Sequence, residues 1–132
     1  MSSTERPVPK SRPVYLNLVA IRLPLPGIVS ILHRLSGAVL FLVGLPLALV
    51  GVQWSLGSPE SFETLRAVVG YPAVKIVLIG LVWAYLHHFC AGLRYLLLDM
   101  HRLVELKPAR QSSAVVLAAS LALTLVIAVR LW

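Results

Sequence analysis

From Ser36 to Trp54 the chain reads SGAVLFLVGLPLALVGVQW, 19 residues without a charge. Wound as a helix rising 1.5 Å per residue, that run is about 30 Å long, the thickness of a bilayer's hydrocarbon core. Two more apolar runs follow, one from near Pro72 and one from near Ser113. Of the 132 residues, 58% are hydrophobic and 13% charged, whereas a water-soluble domain carries about 25% charged residues. The sequence therefore predicts an all-α integral membrane protein with three transmembrane helices, at about 28–54, 72–98 and 113–132. An N-terminal arm, residues 1–27, precedes the membrane domain, residues 28–132.

The breaks between runs have local causes. Pro7, Pro9 and Pro13 oppose helix in the arm, and RLPLPG, Arg22 to Gly27, is expected to turn the chain toward the membrane. Pro46 lies inside the first run, where a membrane helix kinks rather than stops because neighbours satisfy the freed carbonyl. Ser58 followed by Pro59 and Glu60 is an N-cap signal for a short amphipathic helix between the first two spans. The start, MSSTERPVPKSRPVYLNL, has no apolar stretch and is not expected to be a cleavable signal.

The net charge of +7 is distributed as a topology signal. Arg6, Lys10, Arg12, Arg22 and Arg34 crowd the N-terminal side of the first span, and Arg94, Arg102, Lys107 and Arg110 surround the second connection. The first connection has only Arg66 and Lys75. The positive-inside rule then puts the N-terminus and the second connection in the cytoplasm, or in a matrix-like compartment, with the C-terminus outside. Trp54 and Trp132 fall at the outer interface. The chain has no basic stripe or motif for nucleic acid. The single cysteine, Cys90, has no partner for an internal disulfide and reads as a small apolar residue.

Against this background LHHFCAGLRYLLLD, Leu86 to Asp99, stands out, because lipid penalises its ionisable groups and such groups mark functional sites. His88 lies some 22 Å along the second span, at the depth where Ser30, His33 and Arg34 begin the first. His88, Ala91 and Gly92 are expected to share a face, so that a large flat ligand such as haem could lie there with a neutral imidazole nitrogen on its iron. A hydrogen bond to a neighbouring helix is the other use for such a histidine. His87 is turned about 100° away and should not serve the same iron. Zinc lacks a third and fourth ligand. Ser30 and Arg34 share a face with His33 beside it; a hydroxyl and a guanidinium fork can hold a haem propionate or a quinone carbonyl. Alternatively Arg34 snorkels to lipid phosphates. Asp99 and Arg102 are expected to pair at the rim.

The run RPVYLNLVAIRLPLPGIVSILHRLSG resembles the start of the cytochrome b subunits of succinate dehydrogenase, the larger of two membrane anchors in respiratory complex II. The family's RP, spacer with L, and SILHRxSG appear as Arg12, Pro13, Leu16, and Ser30 to Gly37. Its H-x3-G-x-R with a later aspartate appears as His88, Gly92, Arg94 and Asp99, and the likeness extends over nearly the whole chain. The resemblance implies that His88 is an axial ligand of haem b, whose second histidine comes from the small membrane-anchor subunit, so that the spans join a heteromeric helix bundle. It implies that His33 and Arg34 lie near the haem propionates and that Ser30 and Arg34 border the ubiquinone site. Bacterial members often carry a histidine after the motif's arginine; this chain has Tyr95, whose hydroxyl could partly replace it. A flavoprotein subunit and an iron–sulfur subunit would complete the enzyme, in the bacterial inner membrane or, alternatively, the mitochondrial inner membrane. An anchor of fumarate reductase or another quinone-linked dehydrogenase, or a cofactor-free membrane scaffold, are the competing readings.

Overall fold

A computed structural model describes residues 21–132; the N-terminal arm read as irregular lies largely outside them. The elements are α1 (Leu25–Val39), a π-helical turn (Leu40–Gly44), α2 (Leu45–Gly57), α3 (Pro59–Gly70), α4 (Pro72–Asp99) and α5 (Leu106–Leu131). The first three are continuous, so three helices, Leu25–Gly57, Pro72–Asp99 and Leu106–Leu131, are long and apolar enough to cross a membrane. Prolines punctuate this pattern as their chemistry requires. Pro26, Pro59 and Pro72 stand in the first turns of α1, α3 and α4, where no N–H is needed.

Pro46 acts differently. It cannot donate to the carbonyl four residues back, and its ring would crowd that carbonyl. The helix widens just before it: the N–H of Leu45 donates to Leu40 O, five residues back, the signature of a π-bulge. The local disturbance at Pro46 takes the form of a π-bulge over Leu40–Gly44. α3 has the cap its sequence promised. Ser58 Oγ accepts from Ser61 N at 3.1 Å, and Ser61 Oγ accepts from Ser58 N at 2.9 Å, a reciprocal capping box. Ser61 Oγ also donates to Trp54 O at 2.8 Å, tying α3 to the last turns of α2.

α4 ends in a Schellman motif. His101 N donates to Leu98 O and Arg102 N to Leu97 O, both at 2.9 Å, with His101 at φ 57°, the left-handed position that glycine more often takes. α5 then starts at Leu106 rather than at 113 as hydropathy suggests. LKPAR is polar, yet Pro108 falls in the first turn, where it removes no hydrogen bond. RLPLPG likewise does not stay outside the helix: Pro24 caps α1, which begins at Leu25. The expected rim pair is absent. Among the described residues the one ion pair is Glu63–Arg66 at 3.8 Å, both exposed, and Asp99 and Arg102 do not meet.

The spans run antiparallel, so α1 begins where α4 ends and α5 begins; we call this the near face. At the far face Lys75 Nζ lies 5.6 Å from the Trp132 ring, joining the start of α4 to the end of α5. Small or polar side chains fill the interior: Val29 and Ser36 of α1, Ala84, His87, Ala91 and Arg94 of α4, and Ser113, Val116, Ser120 and Thr124 of α5. This is the membrane pattern, in which small residues let backbones approach and large apolar ones face outward. Ser113, Ser120 and Thr124 each return their hydroxyl proton to a carbonyl of α5, so none is left a stranded donor. Cys90 packs against the Val29–Ala91–Val116 centre, as a small apolar residue would.

Candidate functional site

Ser30, His33 and Arg34 fall in the second and third turns of α1, and Tyr95 at the near end of α4. These four line an open cleft of about 240 Å³ at the near face. The three residues of α1 thus converge, and Tyr95, which stands where family members often carry a histidine, joins them. A larger groove of about 800 Å³ toward the far face is lined by Leu40, Leu81, Tyr85 and other apolar residues without a charge or a histidine.

His88 stands directly behind the cleft. Its ring stacks on that of His33, with centroids 4.2 Å apart and planes 8° from parallel, and His33 in turn lies 5.0 Å from the Tyr95 ring. His88 Nδ1 is 3.0 Å from the His33 carbonyl oxygen and 3.4 Å from Ser36 Oγ. Ser36 donates its own proton to that same carbonyl, at 2.9 Å. Two acceptors thus converge on Nδ1, so Nδ1 carries the hydrogen and Nε2 keeps the lone pair. That tautomer is what a metal-binding imidazole needs, its other N–H held by a carbonyl.

His87 has the opposite fate. It is fully buried, with 0% exposure, its ring 5.4 Å from that of Trp83. Neither ring nitrogen has a hydrogen-bond partner among the described residues. It points into the core formed by α1, α4 and α5. The one-residue rotation between the two histidines was legible from helix geometry. The shared small-residue face was not: Ala91 lies in the core with His87 at 0% exposure. Gly92 faces His33, whose Nε2 would sit 3.9 Å from a Cβ placed there. The open surface expected beside His88 at Ala91 and Gly92 is therefore filled by core packing and by His33.

Arg94 closes the H-x3-G-x-R pattern of α4. It is 5% exposed; Nε donates to Ser112 Oγ at 2.9 Å, and Nη2 lies 3.4 Å from Ala109 O. Its guanidinium also sits 5.7 Å from the Tyr95 ring. Arg94 thus binds α4 to the start of α5 and backs the cleft's fourth wall. Spacing alone could not show this, because Ser112 lies beyond a turn whose geometry is set by His101 and Leu103, both at positive φ.

Three antiparallel apolar spans define a multi-pass helical membrane protein, with a polar cleft at one end of the bundle. Over residues 8–127 the chain matches the model of the succinate dehydrogenase/fumarate reductase transmembrane subunits, and it belongs to that family. It is 34% identical over 113 residues to the succinate dehydrogenase cytochrome b556 subunit of Paracoccus denitrificans, covering 86% of each chain. The subunit of the same name from Coxiella burnetii is 37% identical over 90 residues, covering 67% of this chain and 71% of its own. That from Rickettsia felis is 26% identical over 127 residues, covering 96% of this chain and 98% of its own.

Proposed function

We propose that this chain is the cytochrome b membrane anchor of a succinate:quinone oxidoreductase. The observation that carries this reading is the juxtaposition at the near face: a cleft of Ser30, His33, Arg34 and Tyr95, backed by a histidine whose Nε2 is free to ligate. His88 would hold the iron of haem b through Nε2, and the haem would supply a one-electron store near the quinone. The second imidazole comes from the small membrane-anchor subunit. His33 would not supply it: its ring lies flat against that of His88, with centroids 4.2 Å apart, so the two imidazoles do not open toward one shared iron. His33 and Arg34 are the donors toward the propionates.

Ser30 and Arg34 take the quinone. The hydroxyl donates to a carbonyl oxygen of the ring, and the guanidinium favours the reduced form by stabilising negative charge as electrons arrive. Tyr95 closes the cleft on the α4 side. Succinate chemistry belongs to the flavoprotein: succinate loses two electrons and two protons to become fumarate. The electrons travel through the iron–sulfur subunit, and quinone takes up two electrons and two protons to become quinol. The near face is then the cytoplasmic face of a bacterial inner membrane, where a soluble dehydrogenase docks and where the positive charges congregate.

The test is a pair of assays on membranes of matched complex content. Ser30→Ala removes one hydrogen bond, about 0.5–1.5 kcal/mol; Arg34→Leu removes a charge-assisted one and costs more. Both should keep succinate oxidation by a soluble artificial acceptor and lose quinone reduction, Arg34→Leu the more severely. Wild-type quinone reduction in both variants would remove these residues from the site and return Arg34 to lipid anchoring.

A further inference from the structure

We infer that Ser36 and Gly37 are positioning residues for His88, so that the ligand carried by α4 is oriented by α1; the inference rests on His88 being a haem ligand. A Cβ at Gly37 would lie 2.8 Å from His88 Cε1 and 3.3 Å from Nδ1, well inside contact distance. The edge of the imidazole therefore sits in a notch that only glycine leaves open. The ring has little freedom to back out. Its face is covered by His33 at 4.2 Å, and sliding away from α1 would break the Nδ1–H bond to the His33 carbonyl.

Ser36 sets the polarity of that bond. It is buried in the bundle, and by spending its proton on the His33 carbonyl it can present only a lone pair to Nδ1. A hydroxyl free to turn could instead donate to Nδ1 and favour the wrong tautomer, with Nε2 protonated and unable to ligate. Acceptors on Nδ1–H make an imidazole a stronger electron donor to its metal. Ser36 thereby stabilises the oxidised iron, and Gly37 fixes the plane of the ring. Neither touches the haem in this account, and each acts through His88. The notch is local: Gly51, farther along the same span, and Gly80, on α4, have no atom within 4 Å of a built Cβ.

The experiment uses the assembled complex with Gly37→Ala, Ser36→Ala, Gly51→Ala and His88→Leu. Haem per complex, the low-spin electron paramagnetic resonance signal and the haem midpoint potential are measured. Outer-shell changes at ligand histidines cost roughly 10–100-fold in metal affinity, so Gly37→Ala should lose haem on washing about tenfold faster or show a shifted low-spin signal. Ser36→Ala should retain haem at a raised potential. Gly51→Ala should match wild type, which separates the notch from a general loss of helix flexibility. Wild-type signal and potential in both Gly37→Ala and Ser36→Ala, with the signal of His88→Leu altered, would overturn the positioning role alone. A wild-type signal in His88→Leu would overturn the ligand assignment beneath it. If Gly37→Ala does not assemble, Ser36→Ala decides, and an unchanged potential there refutes the inference.

Discussion

Ser112→Ala tests the polar tie between Arg94 of α4 and the start of α5. The serine accepts from Arg94 Nε at 2.9 Å, and Arg94 is buried, so removing the acceptor strands a charged donor in an apolar interior. A hydrogen bond to a charged group contributes about 1.5–3 kcal/mol. The lower part of that range applies, because Ala109 O remains 3.4 Å from Nη2 and loses the competing donation from Ser112 at 3.2 Å. Arg94→Met behaves differently: it removes the bond and the contact with Tyr95 but also relieves the cost of holding a guanidinium out of water. Ser112→Ala should therefore destabilise the α4–α5 junction at least as much as Arg94→Met, and the double variant should be no worse than Arg94→Met alone. Hydrogen exchange of the detergent-solubilised complex reads this locally. A loss of about 1.5–2 kcal/mol in the opening free energy of amides in 111–117 means roughly 10–30-fold faster exchange. Exchange within twofold of wild type in Ser112→Ala, or additive effects in the double variant, would show that the tie carries no net stability.

Ser58→Ala should fray α3 by about 1 kcal/mol, the usual cost of losing a helix cap, seen as faster exchange at Ser61 and Phe62 with quinone reduction unchanged; protection equal to wild type would contradict the capping role. Expressed without its partners, the chain should show no bis-histidine haem spectrum, because His33 and His88 are stacked; such a spectrum from the lone chain would refute the two-chain site.

The parts of this molecule governed by period and by charge were readable in advance. An uncharged run from Ser36 to Trp54 leaves a helix little alternative in a membrane, and helix rotation separates His87 from His88 whatever surrounds them. The spacing of Ser30 and Arg34 put them on one helix face with His33 beside it, and all three line the same cleft. What could not be read depends on how helices lie against one another. Nothing in the order of residues shows that His33 fills the space beside Gly92, or that Ala91 belongs to the core stripe with His87. The start of α5 escaped because hydropathy sees Lys107 and Arg110 as an end, while helix formation sees a permitted proline and continues past the bilayer rim. Gly37 and Ser36 were in plain view as part of a pattern, but their contact with His88 crosses from one span to another.

The adjacent histidines offer the most direct measurement: reduced-minus-oxidised absorption and electron paramagnetic resonance spectra of the purified complex carrying His88→Leu or His87→Leu. His88→Leu removes the imidazole whose Nε2 is left free by the His33 carbonyl, and the low-spin bis-imidazole spectrum should be lost. His87→Leu replaces a buried ring with two unpaired nitrogens by an apolar side chain, and the spectrum should remain that of wild type. A wild-type spectrum in His88→Leu, or its loss in His87→Leu alone, would contradict the account.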